Sequence, residues 1–99
     1  MEKNITPHEL KQRLDQGEKP FILDVREEWE YEQGNINGKL IPLGNLPDRI
    51  NELEPHKNEE IIVNCKSGGR SARAQAYLMQ NGFNRVRNLE GGYDRYSQL

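Results

Sequence analysis

The chain has 99 residues, with 14 Lys and Arg against 16 Asp and Glu for a net charge of −2, and its mean hydropathy is −1.00. That length supports one domain with one core, here residues 1–99, and the charge balance excludes the basic excess that marks nucleic-acid and membrane-surface proteins. Only 33% of the residues are hydrophobic, but they fall in short runs and the net charge is small, which favours a lightly cored, folded chain over a disordered one.

The single cysteine excludes an internal disulfide, a C-x-x-C redox pair and a cysteine-rich metal site. No metal and no cofactor is expected. No apolar run approaches the roughly 20 residues that span a bilayer, and Met1-Glu2-Lys3-Asn4 opens no signal-peptide core. The expectations are a free thiol in a reducing cytoplasm, no membrane partner and a monomer.

Ile5-Thr6-Pro7-His8-Glu9-Leu10 reads as a helix start, with Thr6 as N-cap, Pro7 at the first position and Glu9 completing a capping box. Leu10 and Leu14 share a face, and the helix should stop near Gly17. Phe21-Ile22-Leu23 reads as a buried strand. Asp24 and Arg26 stand at its C-terminal end, where sites gather in open α/β sheets; they either line a site or form a structural ion pair, and the ion pair is the simpler reading. Glu27 to Gln33 looks like a short acidic helix ended by Gly34, its acids a solvated face and Trp29 and Tyr31 packing residues. Asn35 to Leu46 is loop-like around a very short Leu40-Ile41 strand, and Pro47 opens a short helix with Ile50 and Leu53 on one side.

Ile61-Ile62-Val63 is the clearest strand. From Ser71 to Asn81 the pattern is helical, with Ala72, Ala76 and Met79 on one face, Leu78 near its edge and Gly82 just beyond the end. Val86 marks a last strand, and Leu89-Glu90-Gly91-Gly92-Tyr93 a turn into a terminal helical piece. Alternating strands and helices with short connections predict an α/β fold, a small, mainly parallel sheet flanked by helices on both faces.

The chemistry concentrates in Asn64-Cys65-Lys66-Ser67-Gly68-Gly69-Arg70-Ser71. A strand, a glycine-bearing turn and a helix N-terminus converge unpaired N–H groups on one point and bind anions there. A thiol at the start of such a turn is favoured as the thiolate. A lone cysteine is more often a buried structural residue, but a core cysteine needs neither two glycines nor two cations in the next five residues. Cys65 is therefore the candidate nucleophile. Gly68 and Gly69 permit the tight backbone, Arg70 offers a planar fork to an oxyanion, and Lys66 adds a mobile charge or points to solvent. Ser67 offers a hydroxyl, and Ser71 caps the following helix. No general base is evident: His8 and His56 lie in segments unconnected with the loop, and with one cysteine they form no zinc set.

Four ordered motifs give the chain a family resemblance. Leu23-Asp24-Val25-Arg26-Glu27, Gly34-Asn35-Ile36-Asn37-Gly38 followed by Ile41-Pro42-Leu43, the C-x-x-G-x-R-S run from Cys65 to Ser71, and Gly82-Phe83 with Leu89-Glu90-Gly91-Gly92 resemble a single-domain rhodanese, a sulfurtransferase. Asn35 and Asn37 stand where the family usually has histidine and proline, the segment before Ile41 is shorter than the common pattern, and Tyr93 or Tyr96 stands where a tryptophan is frequent. The resemblance implies that Cys65 takes sulfane sulfur from a small anionic donor such as thiosulfate, holds it as a persulfide, and yields it to a thiol or cyanide. Lys66, Ser67, Gly68, Gly69, Arg70 and Ser71 would bind the substrate, with Asp24 and Arg26 in support. Related dual-specificity phosphatases carry C-x5-R; the C-x4-R spacing from Cys65 to Arg70 suits sulfur rather than phosphate. The alternative is a sulfur-relay or regulatory module that acts with a partner protein.

Overall fold

The computed structural model describes residues 2–99. Five parallel strands, β1 (Asn4–Ile5), β2 (Phe21–Asp24), β3 (Lys39–Leu40), β4 (Ile61–Asn64) and β5 (Val86–Leu89), form one sheet in the order β1-β5-β4-β2-β3. The expected α/β architecture is observed. The helices are α1 (Pro7–Asp15), α2 (Glu28–Gln33), α3 (Leu46–Arg49), α4 (Gly69–Gln80) and α5 (Gly92–Tyr96), with 3-10 turns at Leu43–Asn45 and Ile50–His56. No helix among the described residues is long and apolar enough to cross a membrane.

The central strands read as unbroken apolar runs because both sheet faces are covered. On one face Leu23, Ile61, Val63 and Cys65 pack with Leu46, Leu53, Ala74 and Leu78; on the other Ile22, Ile62 and Leu89 pack with Leu10, and with partly buried Leu14 and Tyr96. The register aligns Leu23 with Val63 and Asp24 with Asn64. The C-terminal ends of β2 and β4 therefore finish side by side, with Arg26 and Cys65 just beyond them.

Several expectations are corrected. Asn4–Ile5 is a strand paired with β5, not part of a helix entry; two residues carry too short a pattern to announce it. The α1 cap is half a capping box: Thr6 Oγ1 accepts from the Glu9 N–H at 3.1 Å, but the Glu9 carboxylate faces Arg87 Nη1 at 3.4 Å. The short third strand is Lys39–Leu40, one residue earlier than Leu40-Ile41. In α4 the buried face is Ser71, Ala74 and Leu78, while Ala72 and Ala76 are exposed and Met79 is 41% exposed; alanine sits equally well on either face, so it could not set the phase. Trp29, expected to pack, is 62% exposed.

The segment with the two asparagines folds through side-chain hydrogen bonds of its own. Asn35 Oδ1 accepts from the Asn37 N–H at 2.9 Å, and Asn37 takes φ 61°. Asparagine tolerates the left-handed region; proline, locked near −65°, cannot enter it. The turn here is built for asparagine.

Candidate active site

The loop after β4 places Cys65 at its base, 1% exposed. Gly68, at φ 109°, turns its N–H onto Cys65 Sγ at 3.0 Å. A side chain at that φ would be strained, so glycine is required there. Ser71 Oγ lies 3.3 Å from Sγ. Burial raises the thiol pKa, but the Ser71 hydroxyl and the N–H groups of Ser71, Gly68 and Ser67 outweigh it, and the thiol lies below its ordinary value. The anion cradle expected from the strand, turn and helix sequence is present.

Ser71 does more than cap a helix, and the cap assignment is wrong. The N-cap of α4 is Gly68; Ser71 is in the first turn and fully buried. Its hydroxyl faces Sγ, the Gly68 carbonyl at 3.1 Å and Asn88 Oδ1. Asn88 Nδ2 donates to the same Gly68 carbonyl at 3.2 Å. The sequence pattern does not single out Asn88. The one available signal was a polar residue two places after Val86, on the strand face that points into the core.

The loop is also held from behind. The N–H of Tyr93 donates to the Cys65 carbonyl at 2.8 Å, and that of Asp94 to the Lys66 carbonyl at 2.9 Å. The N-terminus of α5 thus docks on the reactive loop. Gly92, at φ 60°, makes this contact possible: a Cβ there would lie 2.5 Å from the Cys65 carbonyl oxygen. The double glycine is a joint between the last helix and the site.

Asp24 and Arg26 form the ion pair that the simpler reading favoured. Asp24 is fully buried and Arg26 is 3% exposed; Arg26 Nε donates to Asp24 Oδ1 at 3.0 Å and Nη2 to Oδ2 at 2.9 Å. Arg26 also donates to the Gly34 carbonyl at 2.9 Å and stacks on the Tyr93 ring at 4.6 Å. Tyr93 takes this site-side position, whereas Tyr96 is partly buried against the core on the other face of the sheet. Asn64 Nδ2 reaches Asp24 Oδ2 at 3.3 Å.

Two expectations change at the rim. Arg70 was expected to offer its fork to an oxyanion. Instead Nη1 and Nη2 are taken by Glu30 Oε1 and Oε2 at 2.7 and 2.8 Å. Glu30 belongs to the acidic run read as a solvated face, yet it is buried. Its bond to Arg70 outweighs the opposing effect of burial and holds the carboxyl at about 2. Lys66 does point outward, where its Nζ meets Asp94 Oδ2 at 2.9 Å. Ser67 and Gly69 lie on the exposed crest of the loop; the Ser67 N–H helps to lower the Cys65 pKa. Beside the loop opens a cleft of about 270 Å³ lined in part by Arg26, Trp29, Glu30, Lys66 and Tyr93. Neither histidine is here: His56 stacks on Phe21 at 3.8 Å, and His8 lies on α1.

This geometry can stabilise a sulfur anion and an added sulfur atom on it through fixed backbone dipoles, without a proton-transferring side chain. The family model described as a rhodanese-like domain matches residues 6–99. A sulfurtransferase of Allochromatium vinosum is 40% identical over 93 residues, covering 93% of this chain and 85% of the relative. A Bacillus subtilis protein named as a sulfur carrier is 44% identical over 84 residues, and the chain spans 44% of that longer protein. The crystal structure of a rhodanese-like domain protein from Staphylococcus aureus is similar with a TM-score of 0.86 and 38% identity, covering 96% of this chain and 91% of the other.

Proposed function

Since the chain belongs to the rhodanese-like family, we propose that it is a sulfurtransferase whose Cys65 carries sulfane sulfur between a donor and an acceptor. The observation that supports this most directly is the convergence of the Gly68 N–H and the Ser71 hydroxyl on a buried Cys65 sulfur, at 3.0 and 3.3 Å. A thiolate so placed attacks the outer sulfur of thiosulfate. The sulfur–sulfur bond of the donor breaks, sulfite leaves with the electron pair, and the outer sulfur remains on Cys65 as a persulfide. Cyanide or a thiol then attacks that outer sulfur and releases the Cys65 thiolate. This is covalent catalysis in two displacements, and the fixed N–H groups supply the stabilisation in both.

The near-complete burial of Cys65 favours a donor whose reacting sulfur is terminal and unhindered, as in thiosulfate or a persulfide. With no second cysteine in the chain, the persulfide needs an external acceptor. That requirement suits a reducing compartment such as the cytoplasm, where thiols are abundant. Intact-protein mass measurement after exposure to thiosulfate tests the reading. The expected result is a gain of one sulfur atom, lost on reduction and absent in Cys65→Ser; the same gain in that variant would sink the assignment.

A second reading, a sulfur relay that acts with a partner protein, draws on the name of the Bacillus subtilis relative and on the exposed Trp29 beside the loop. Turnover that is negligible with free acceptors and restored by a purified partner would favour it.

A further inference from the structure

The three cations of the loop and its cleft are each matched by a carboxylate. Arg26 is paired with Asp24 at 2.9 Å, Lys66 with Asp94 at 2.9 Å and Arg70 with Glu30 at 2.7 Å. Three positive and three negative charges cancel, and exposed Glu27 stands close enough to act on Arg70 as well. Among the described residues, each cation of the loop and its cleft is therefore already engaged by a carboxylate when an anion approaches. The pairs differ in strength. Lys66–Asp94 is exposed, at 61% and 47%, and exposed pairs hold weakly. Arg70–Glu30 is bidentate, with Glu30 Oε1 also accepting the Glu27 N–H at 2.9 Å, so Glu30 is fixed by its own helix cap and cannot easily withdraw.

We propose that Glu30 is a specificity-determining positioning residue: by occupying the Arg70 fork it disfavours doubly charged donors such as thiosulfate and biases Cys65 toward persulfides and other sulfane donors of lower charge. The proposal rests on the sulfurtransferase reading above. In the favoured reaction the Cys65 thiolate attacks the terminal sulfur of R–S–SH. A sulfur–sulfur bond forms as the donor's breaks, R–S− leaves with the electron pair, and the proton stays on the transferred sulfur. No outside oxidant or reductant is needed.

The test compares thiosulfate, a dianion, with benzenethiosulfonate, a monoanion, using cyanide as acceptor in wild type, Glu30→Gln and Glu28→Gln. Glutamine keeps an oxygen for the Glu27 N–H while removing the charge that holds Arg70. Glu28 is exposed on the same helix, so its substitution controls for net charge. E30Q should raise kcat/KM for thiosulfate about tenfold and for benzenethiosulfonate only about threefold, and E28Q should change each by less than about twofold. Glu30→Asp, which retracts the carboxylate, should move the ratio the same way by a smaller amount and serves if the glutamine variant does not fold. An unchanged or lowered thiosulfate kcat/KM in these variants, with Cys65 still taking up sulfur, overturns this proposal alone. No sulfur uptake from either donor in the wild type overturns the sulfurtransferase reading and this proposal together.

Discussion

Two clusters of ion pairs close the two ends of the same sheet, and only one of them surrounds a reactive atom. At the N-terminal ends of the strands, Glu60 takes Arg13 at 2.7 Å and Arg87 at 3.2 Å. Arg87 also donates to the Asn4 carbonyl at 2.9 Å and the Glu2 carbonyl at 3.1 Å, which ties β1 to the body of the domain. At the C-terminal ends, Asp24–Arg26 and Glu30–Arg70 are equally well paired. Charge density is thus common to both ends. What separates them is backbone: the C-terminal end adds a loop whose N–H groups point at one sulfur, braced from behind by α5. Paired side chains build a wall, and unpaired N–H groups build a site.

The sharpest way to break this contrast is at Cys65 itself. Cys65→Ser should abolish sulfur uptake and leave the fold unchanged by circular dichroism; retained uptake would place the chemistry elsewhere. Next is the brace. Gly92→Ala puts a methyl against the Cys65 and Lys66 carbonyls in a backbone conformation alanine resists, and it should cost about 2–4 kcal/mol of stability with loss of uptake. A variant as stable and active as wild type would show that α5 does not hold the loop.

The opposite end should respond in stability alone. Arg87→Ala leaves Glu60 with Arg13 alone and releases the Glu2 and Asn4 carbonyls that hold β1, and should cost about 1–2 kcal/mol in denaturant unfolding with sulfur uptake per folded molecule unchanged. A fall in uptake would mean that the two ends are coupled. Ser71→Ala should do the reverse. Removing one hydrogen bond to the thiolate should raise the thiol pKa and slow sulfur uptake at pH 7 by about tenfold, the loss expected for one charge-assisted hydrogen bond, at a cost of only about 1 kcal/mol in stability.

An acid titration probes the Glu30–Arg70 pair itself. Glu30 has its folded pKa depressed to about 2, so its contribution is present above the unfolded value of roughly 4.3 and is lost as pH falls through the folded value. Wild type should lose about 2 kcal/mol more than Glu30→Gln between about pH 5 and pH 2, after discounting for the partly exposed Arg70. Parallel acid profiles would show that the Glu30–Arg70 pair adds nothing to stability.

The legible parts of the sequence were those where a local pattern settles a local structure. Ile61-Ile62-Val63 could hardly be other than a buried strand, and a cysteine followed by Gly68-Gly69 announces a tight turn over a thiol. Thr6-Pro7 marked the start of α1. The illegible parts depend on residues far apart in the chain. Glu30 and Arg70 are forty positions apart, and nothing in an acidic helix tells its one buried acid from its exposed ones. Asn88 reaches Ser71 only after β5 pairs with β4. The alanines of α4 fit either face, so the helix was visible and its phase was not. The family motifs carried the position of the site. The neutral balance of charge around it became apparent only in three dimensions.

The central claim is that the loop holds Cys65 as a thiolate below its ordinary pKa. The pH dependence of Cys65 alkylation by iodoacetamide tests it most directly, because only the thiolate reacts. The inflection should fall below roughly 8.5, the value for a free cysteine. An inflection at or above that value would mean that burial outweighs the loop's hydrogen bonds and that the loop does not hold a thiolate.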